Sequence, residues 1–242
     1  MKKLTILFIG LCLAACSKED PMTINQPNGQ LKYDGTHQFT VKKGGNSVSG
    51  ITWKSSDTNV GTVDNTGKFK ARKIGKTEVS AATKDGTVKA SVEILPYSKL
   101  YTEPVLDFGQ TKATVKAKEK RKVILDDGDL LAYQGENSSI ELVLYVFVSN
   151  KLEVCGPVLQ ESSAVVKEAG TFLKERYPNN GVVNGEIVFL DDSKKYGIIL
   201  GYDEQYGPTA IYAANTPGGR KALTPKQTES FKKALAAFKA RR

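Results

Sequence analysis

Trp53-Lys54-Ser55-Ser56-Asp57-Thr58-Asn59-Val60-Gly61-Thr62-Val63-Asp64-Asn65-Thr66-Gly67-Lys68-Phe69 is the stretch that decides the fold of the N-terminal third. Its apolar residues come singly or in short bursts, and the segments between them turn the chain. Ser55-Ser56-Asp57 and Asp64 to Gly67 are rich in side chains that bond their own backbone, and Gly67 can reach backbone angles closed to other residues. Upstream, Phe39-Thr40-Val41 leads into the turn Gly44-Gly45-Asn46, and Ile51-Thr52-Trp53 follows. Downstream come Ala71, a break at Gly75, and Thr77-Glu78-Val79-Ser80-Ala81. A tight Asp85-Gly86 turn precedes Val88, Ala90, Val92 and Ile94, which alternate with polar residues. Short strands with turns between them and no helical period predict a β-sandwich over residues 22–97.

The same residues carry a resemblance. Trp53-Lys54-Ser55-Ser56-Asp57, Val60, Val63-Asp64, Gly67, Phe69, Ala71, Gly75, Thr77 and Val79-Ser80-Ala81 resemble the bacterial Ig-like domain, group 2. Gly61 departs from the alanine usual in that family. The resemblance implies that Trp53 packs between the sheets as a core anchor and that Ser55-Ser56-Asp57 shapes the turn after it. It also implies a surface protein in which the module is a spacer or a binding surface; an Ig-like fold names no ligand by itself.

At the N-terminus, Met1-Lys2-Lys3 is a cationic start and Leu4 to Leu13 an apolar run too short for a membrane span, which needs about 20 residues. Leu13-Ala14-Ala15-Cys16 resembles the lipobox of bacterial lipoproteins. That resemblance implies a signal peptide over 1–15, diacylation of Cys16 and a lipidated tether over 16–21. Acyl chains contribute about 0.8 kcal/mol per buried CH₂, so the implied anchor is durable. Ser17 implies the outer membrane. Lys18-Glu19-Asp20 is similar to a short signal for export to the cell surface, with a periplasm-facing position as the alternative.

Removing the signal leaves Cys155 as the one free thiol, which excludes a disulfide framework and a cysteine metal cluster. The sole histidine, His37, lies in the other domain and gives Cys155 no catalytic base. Residues 16–97 hold 12 basic and 8 acidic side chains and residues 98–242 hold 21 and 18, so the positive charge is spread. A nucleic-acid binder would concentrate it in one stripe, and no nucleic-acid partner is expected.

After Pro96, Tyr97 to Thr102 reads as a short linker, and the texture of residues 98–242 becomes α+β. Leu130 to Tyr133, Ile140 to Val148 and Leu152 to Leu159 read as strands. The middle one carries Leu142, Leu144, Val146 and Val148 on one face and Val143, Tyr145 and Phe147 on the other, which predicts cover on both sides. Ser162 to Tyr177 reads as a helix capped by Ser162 or Ser163 and ended by Pro178. Gly185 to Leu190, Tyr196 to Tyr202 and Thr209 to Ala214 follow as strands. Thr224-Pro225 opens a last helix whose Phe231, Ala234, Leu235 and Phe238 share a face. Thr111 to Lys122 is ambiguous between helix and strand; a repeat of helix plus three strands, twice, favours helix. The fold class expected is thus two domains, an Ig-like sandwich followed by an antiparallel sheet with helices. Phe108 to Leu152 also resembles, in texture, the inhibitor-like folds of small outer-membrane assembly lipoproteins and β-lactamase inhibitor proteins.

Asp126-Asp127-Gly128-Asp129 lacks the spacing and following glutamate of a helix–loop–helix calcium site and reads as a turn, as does Asp191-Asp192. No phosphate loop, dinucleotide fingerprint, zinc-protease motif or serine elbow is present, so no cofactor, metal or catalytic residue is assigned. The candidate ligand-binding residues are Tyr196, Tyr202, Asp203, Glu204, Tyr206 and Tyr212, because tyrosine with acids and amides suits sugar or protein recognition. The other reading makes Tyr196 and Tyr212 core fillers. The function expected is a non-enzymatic, lipid-anchored envelope protein whose Ig-like spacer presents a domain that binds a protein or glycan. A periplasmic structural or inhibitory lipoprotein is the alternative, and a hydrolase with carboxylates assembled by the fold a more distant one.

Overall fold

The computed structural model describes residues 20–183, 185–215 and 223–241. The expected signal peptide, Cys16 and the tether up to Glu19 lie outside the described residues.

Ten strands build the N-terminal unit: β1 (Met22–Ile24), β2 (Asn28–Lys32), β3 (Thr36–Gln38), β4 (Val41–Lys43), β5 (Asn46–Ser47), β6 (Thr52–Ser55), β7 (Gly61–Val63), β8 (Lys68–Ala71), β9 (Gly75–Thr83) and β10 (Gly86–Leu95). They pair in the orders β2-β10-β9-β6, β3-β8-β7 and β1-β4-β5, with β2 and β10 parallel and the other pairs antiparallel. The alternation read in the sequence decides which side faces in. Val79 and Ala81 of β9 and Ala90, Val92 and Ile94 of β10 are buried with Phe39, Val41, Val60 and Phe69 in one core. Gly61 has a local cause: a Cβ there would lie 2.1 Å from Cζ of the fully buried Phe69. The Ser55-Ser56-Asp57 turn is tied to Thr77, whose hydroxyl lies 2.9 Å from Ser55 Oγ and 3.1 Å from Ser56 Oγ and accepts from Asp57 N at 3.0 Å. Trp53 is only partly buried, at the rim of the core, 6.2 Å from Phe39 between ring centres. Gly67 lies beside it at φ +85°, where any Cβ would fall 2.8 Å from the indole.

The C-terminal unit is one eight-stranded antiparallel sheet between two layers of helix. Its elements are α1 (Lys112–Lys118), β11 (Val123–Asp127), β12 (Leu130–Gln134), β13 (Ile140–Val148), β14 (Lys151–Leu159), α2 (Ser163–Lys174), β15 (Asn179–Val183), β16 (Glu186–Leu190), β17 (Tyr196–Asp203), β18 (Gly207–Ala214) and α3 (Pro225–Lys239). The strand order β11-β12-β13-β14-β18-β17-β16-β15 joins two four-stranded meanders through β14 and β18. The repeat is therefore helix plus four strands, twice, where the sequence predicts three; β11 and β15 are the additional strands and form the two sheet edges. Thr111 caps α1 by accepting from Thr114 N, which resolves that segment as helix over seven residues only.

Both faces of the sheet are covered, as the two-sided pattern of β13 requires. Val115 of α1 and Ala169, Phe172 and Leu173 of α2 pack on one face with Val143, Tyr145 and Phe147. Phe231, Ala234, Leu235 and Phe238 of α3 pack on the other with Leu142, Leu144 and Val146. Burying each of the larger aliphatic and phenylalanine side chains among these contributes about 1.5–3 kcal/mol. A capping box fixes where α3 starts: Thr224 Oγ1 accepts from Gln227 N, and Gln227 Oε1 accepts from Thr224 N at 2.8 Å.

The segment expected to be a short linker is bonded at nearly every step. Glu175, fully buried just past α2, accepts from Tyr97 N at 2.7 Å, Ser98 N at 3.1 Å and Arg176 Nη1 at 2.8 Å. Its backbone carbonyl accepts from Ile74 N, in the Ig-like unit, at 2.8 Å. Lys73 pairs with Asp192 across the same junction, and Lys32 Nζ donates to Pro96 O at 2.8 Å. Ser98 Oγ donates to Glu168 at 3.0 Å, and the Arg176 guanidinium lies 3.5 Å from the Phe172 ring centre. From Leu100 to Phe108 the chain then packs on the α1/α2 side of the sheet.

Candidate functional site

The structure divides the six candidate residues between interior and surface. Even-numbered residues of β17 point to the α1/α2 face, and Tyr212 of β18 sits opposite Ile198 on that face. Tyr212 is fully buried and Tyr196 half-buried, so both fill the core side of the sheet. They belong to a chain of phenols centred on Glu103. Tyr177 donates to the Glu103 carboxylate, and Tyr212 donates to the same Oε1 at 3.4 Å. Tyr101 then donates to Tyr212 at 2.8 Å and Tyr196 to Tyr177 at 3.3 Å. Burial pushes the Tyr101, Tyr177 and Tyr212 phenols well above their ordinary range, and the nearby Glu103 charge works in the same direction. These groups stay neutral donors and lock the 101–103 segment to the sheet.

The remaining four lie together at the tip of the β17–β18 hairpin. Asp203 Oδ1 accepts from Gln205 N at 2.9 Å and Tyr206 N at 3.3 Å, and Oδ2 pairs with Lys232 Nζ of α3 at 2.8 Å. The Lys232 bond holds the Asp203 carboxyl below the usual carboxylate range, so its charge is committed to shaping the turn. Tyr206 leans on the α3 layer, with Lys239 Nζ 6.0 Å from its ring centre. Tyr202 is 58% exposed and donates to Glu161 at 2.7 Å, and Glu204 and Gln205 are exposed. A phenol ring, an acid and an amide at a hairpin tip can bond a partner through both apolar area and hydrogen bonds.

Several other acidic groups are engaged in holding the fold. Asp126 pairs with Lys112 at 2.6 Å and Lys116 at 2.5 Å, which lowers its carboxyl, and Asp127 pairs with Arg241. Asp191 accepts from Ser193 N at 2.9 Å and Tyr196 N at 3.0 Å at the β16–β17 turn. Arg121 joins Glu119 at 2.7 Å to Glu136 at 2.8 Å. Burial opposes the Glu136 charge, yet the Arg121 bond wins and holds its carboxyl low. Cys155 is fully buried, its thiol pushed up by desolvation and aimed at Val105 O at 3.8 Å. Among the described residues no group of three or more His, Cys, Asp or Glu is placed to hold a metal ion.

The residues that sequence reasoning missed are those of the junction: Glu175, Ser98, Glu168, Lys73 and Asp192. Glu175 and Ser98 are 77 positions apart, and no local pattern marks either.

Resemblances to known proteins cover parts of the chain. Over 99 residues the chain is 31% identical to an uncharacterized protein of Clostridium acetobutylicum, which covers 41% of this chain and 10% of that protein. The chain thus spans about a tenth of the length of that curated relative. Among solved structures, a complex of intimin with Tir90 overlaps 42% of this chain and 60% of its own at 17% identity and a TM-score of 0.25. Domains 5–6 of the S-layer protein SbsC overlap 81% and 84% at 13% identity and a TM-score of 0.28. Residues 20–94 match the family model of the bacterial Ig-like domain (group 2), in keeping with the strands, the Thr77-tied turn and the Trp53–Gly67 contact described above.

Proposed function

We propose that this chain is a non-enzymatic envelope protein, held on a membrane by acyl chains at Cys16, in which the Ig-like unit carries the C-terminal sheet at a fixed angle. The sheet then presents the tip of the β17–β18 hairpin, Tyr202 to Tyr206, to a protein or glycan partner. The observation that carries this reading is the junction. A carboxylate with no solvent exposure grips two linker N–H groups while its own backbone carbonyl grips the Ig-like unit. A free tether between independent modules would leave those groups to water; bonding them costs conformational entropy and is expected where orientation matters. The Asp203 turn supports the rest, since its bonds to two backbone N–H groups and Lys232 hold the tip in one shape before any partner arrives.

The test uses the full mature chain with Cys16→Ser as bait for envelope proteins and a glycan panel, beside a Tyr202→Ala/Tyr206→Ala variant. A partner retained by the parent and lost by the variant supports the reading. A partner indifferent to both tyrosines removes the site assignment. Incorporation of a labelled fatty acid that disappears in Cys16→Ala tests the anchor separately.

A further inference from the structure

At one end of the Ig-like unit, between the β4–β5 hairpin and the turn 64–67, lies a cleft of about 270 Å³. It is lined by the buried Phe39 and Val41, by the partly exposed Trp53 and Ile51, and by the exposed Gln38, Ser47, Ser49 and Asn65. No charged side chain is among its described lining residues. Trp53 packs against the core at its rim but stays partly exposed, and its indole N–H meets no protein acceptor among the described residues. Asn65 and Ser49 are exposed and likewise make no side-chain bond to the protein, whereas Gln38 Nε2 is engaged with Phe39 O at 3.1 Å and Thr66 O at 2.8 Å. Gly67, at φ +85°, has no Cβ to push the indole away and so lets the ring lie close against the turn.

We infer that this cleft binds a neutral sugar residue of a glycan. A sugar ring offers a C–H face that packs on an indole and a girdle of hydroxyls that pair with amides, hydroxyls and an indole N–H. The uncharged rim gives no counter-charge to an anionic or cationic ligand, which would be desolvated there without repayment. The site lies on the Ig-like unit, so it stands or falls separately from the Tyr202–Tyr206 tip.

The chain contains one tryptophan, so intrinsic fluorescence reports on the cleft directly. The mature chain with Cys16→Ser is titrated with glucose, N-acetylglucosamine and their β-linked oligomers, and with N-acetylneuraminic acid as a charged control. The expected result is a saturable change with a neutral sugar, weakened about tenfold or more in Asn65→Ala/Ser49→Ala by loss of two hydrogen bonds. Because neither side chain bonds the protein, the thermal midpoint of that variant stays at the parental value. No saturable change with any neutral sugar up to about 50 mM, where even weak sites fill, overturns the inference. Binding that the double variant leaves intact, or that favours the charged sugar, overturns it as well.

Discussion

Replacing Glu175 by alanine removes one carboxylate and leaves three donors behind it. Tyr97 N and Ser98 N lose their acceptor and Arg176 Nη1 loses one of its two, and Ser98 is 2% exposed, so water cannot easily replace the carboxylate there. A buried N–H without a partner costs about 1–3 kcal/mol, and breaking a buried ion pair by removing one side about 3–5 kcal/mol. Arg176 keeps its bond to Phe172 O at 2.9 Å and its ring contact, which limits the loss. The expected total is about 3–5 kcal/mol, against about 5–15 kcal/mol for a whole domain. Glu175→Gln keeps one oxygen acceptor and loses less. Urea unfolding of the mature chain measures this with two probes. Trp53 fluorescence follows the Ig-like unit alone, whereas far-ultraviolet circular dichroism follows both units. The substitution lowers the dichroism midpoint and separates the two transitions, because the backbone bond to Ile74 and the Lys73–Asp192 pair remain but lose their support. A parental midpoint, within about 0.5 kcal/mol of stability, would refute the reasoning that buried donors at the junction depend on this carboxylate.

Gly61→Ala, the residue usual in the resembled family, forces Phe69 out of place and costs about 1–3 kcal/mol, read from the Trp53 transition. Phe231→Ala empties a fully buried position between α3 and the sheet and costs about 3–5 kcal/mol in urea unfolding, with Trp53 fluorescence unchanged. Alkaline pH destabilises the C-terminal unit. Burial raises the folded phenols of Tyr101, Tyr145, Tyr177 and Tyr212, and that of Tyr133 to about 12, while unfolded phenols ionise near pH 10. Their contribution is whole below about pH 10 and is lost as pH rises through the folded values, by about 1.4 kcal/mol per unit for each phenol. Thermal midpoints that stay level between about pH 9 and 11.5 would contradict this.

How far the sequence could be read depended on the kind of signal each element carries. The last helix has a cap, a proline at its first position and a full apolar face, and Phe231, Ala234, Leu235 and Phe238 are buried as that pattern requires. Strand β13 is apolar on both faces and lies inside the sheet. Strands β11 and β15 escaped notice because edges need no such pattern: every residue of Asn179–Val183 is exposed, and Val123–Asp127 ends in two acids. The tyrosines stand out in the sequence, but alternation tells only that residues share a face, not what lies over it. Tyr196 and Tyr212 face inward, where Tyr212 bonds Glu103, from a segment with no regular structure, and Tyr196 bonds Tyr177, and no local pattern marks these partners. Glu175 was beyond reach for a related reason. Its partners lie in another part of the chain, and a glutamate near the end of a helix is ordinarily a solvated residue.

Fixed presentation is the central claim, and a distance measured across the junction tests it most directly. On the mature chain with Cys16→Ser, spin labels at Lys84→Cys in the Ig-like unit and Gln205→Cys at the hairpin tip occupy exposed positions, and the buried Cys155 thiol is shielded from labelling. The account predicts one narrow distance distribution for the mature chain, broadened by Glu175→Ala. A broad distribution in the parent, unaltered by that substitution, would mean that the two units move independently and would contradict it.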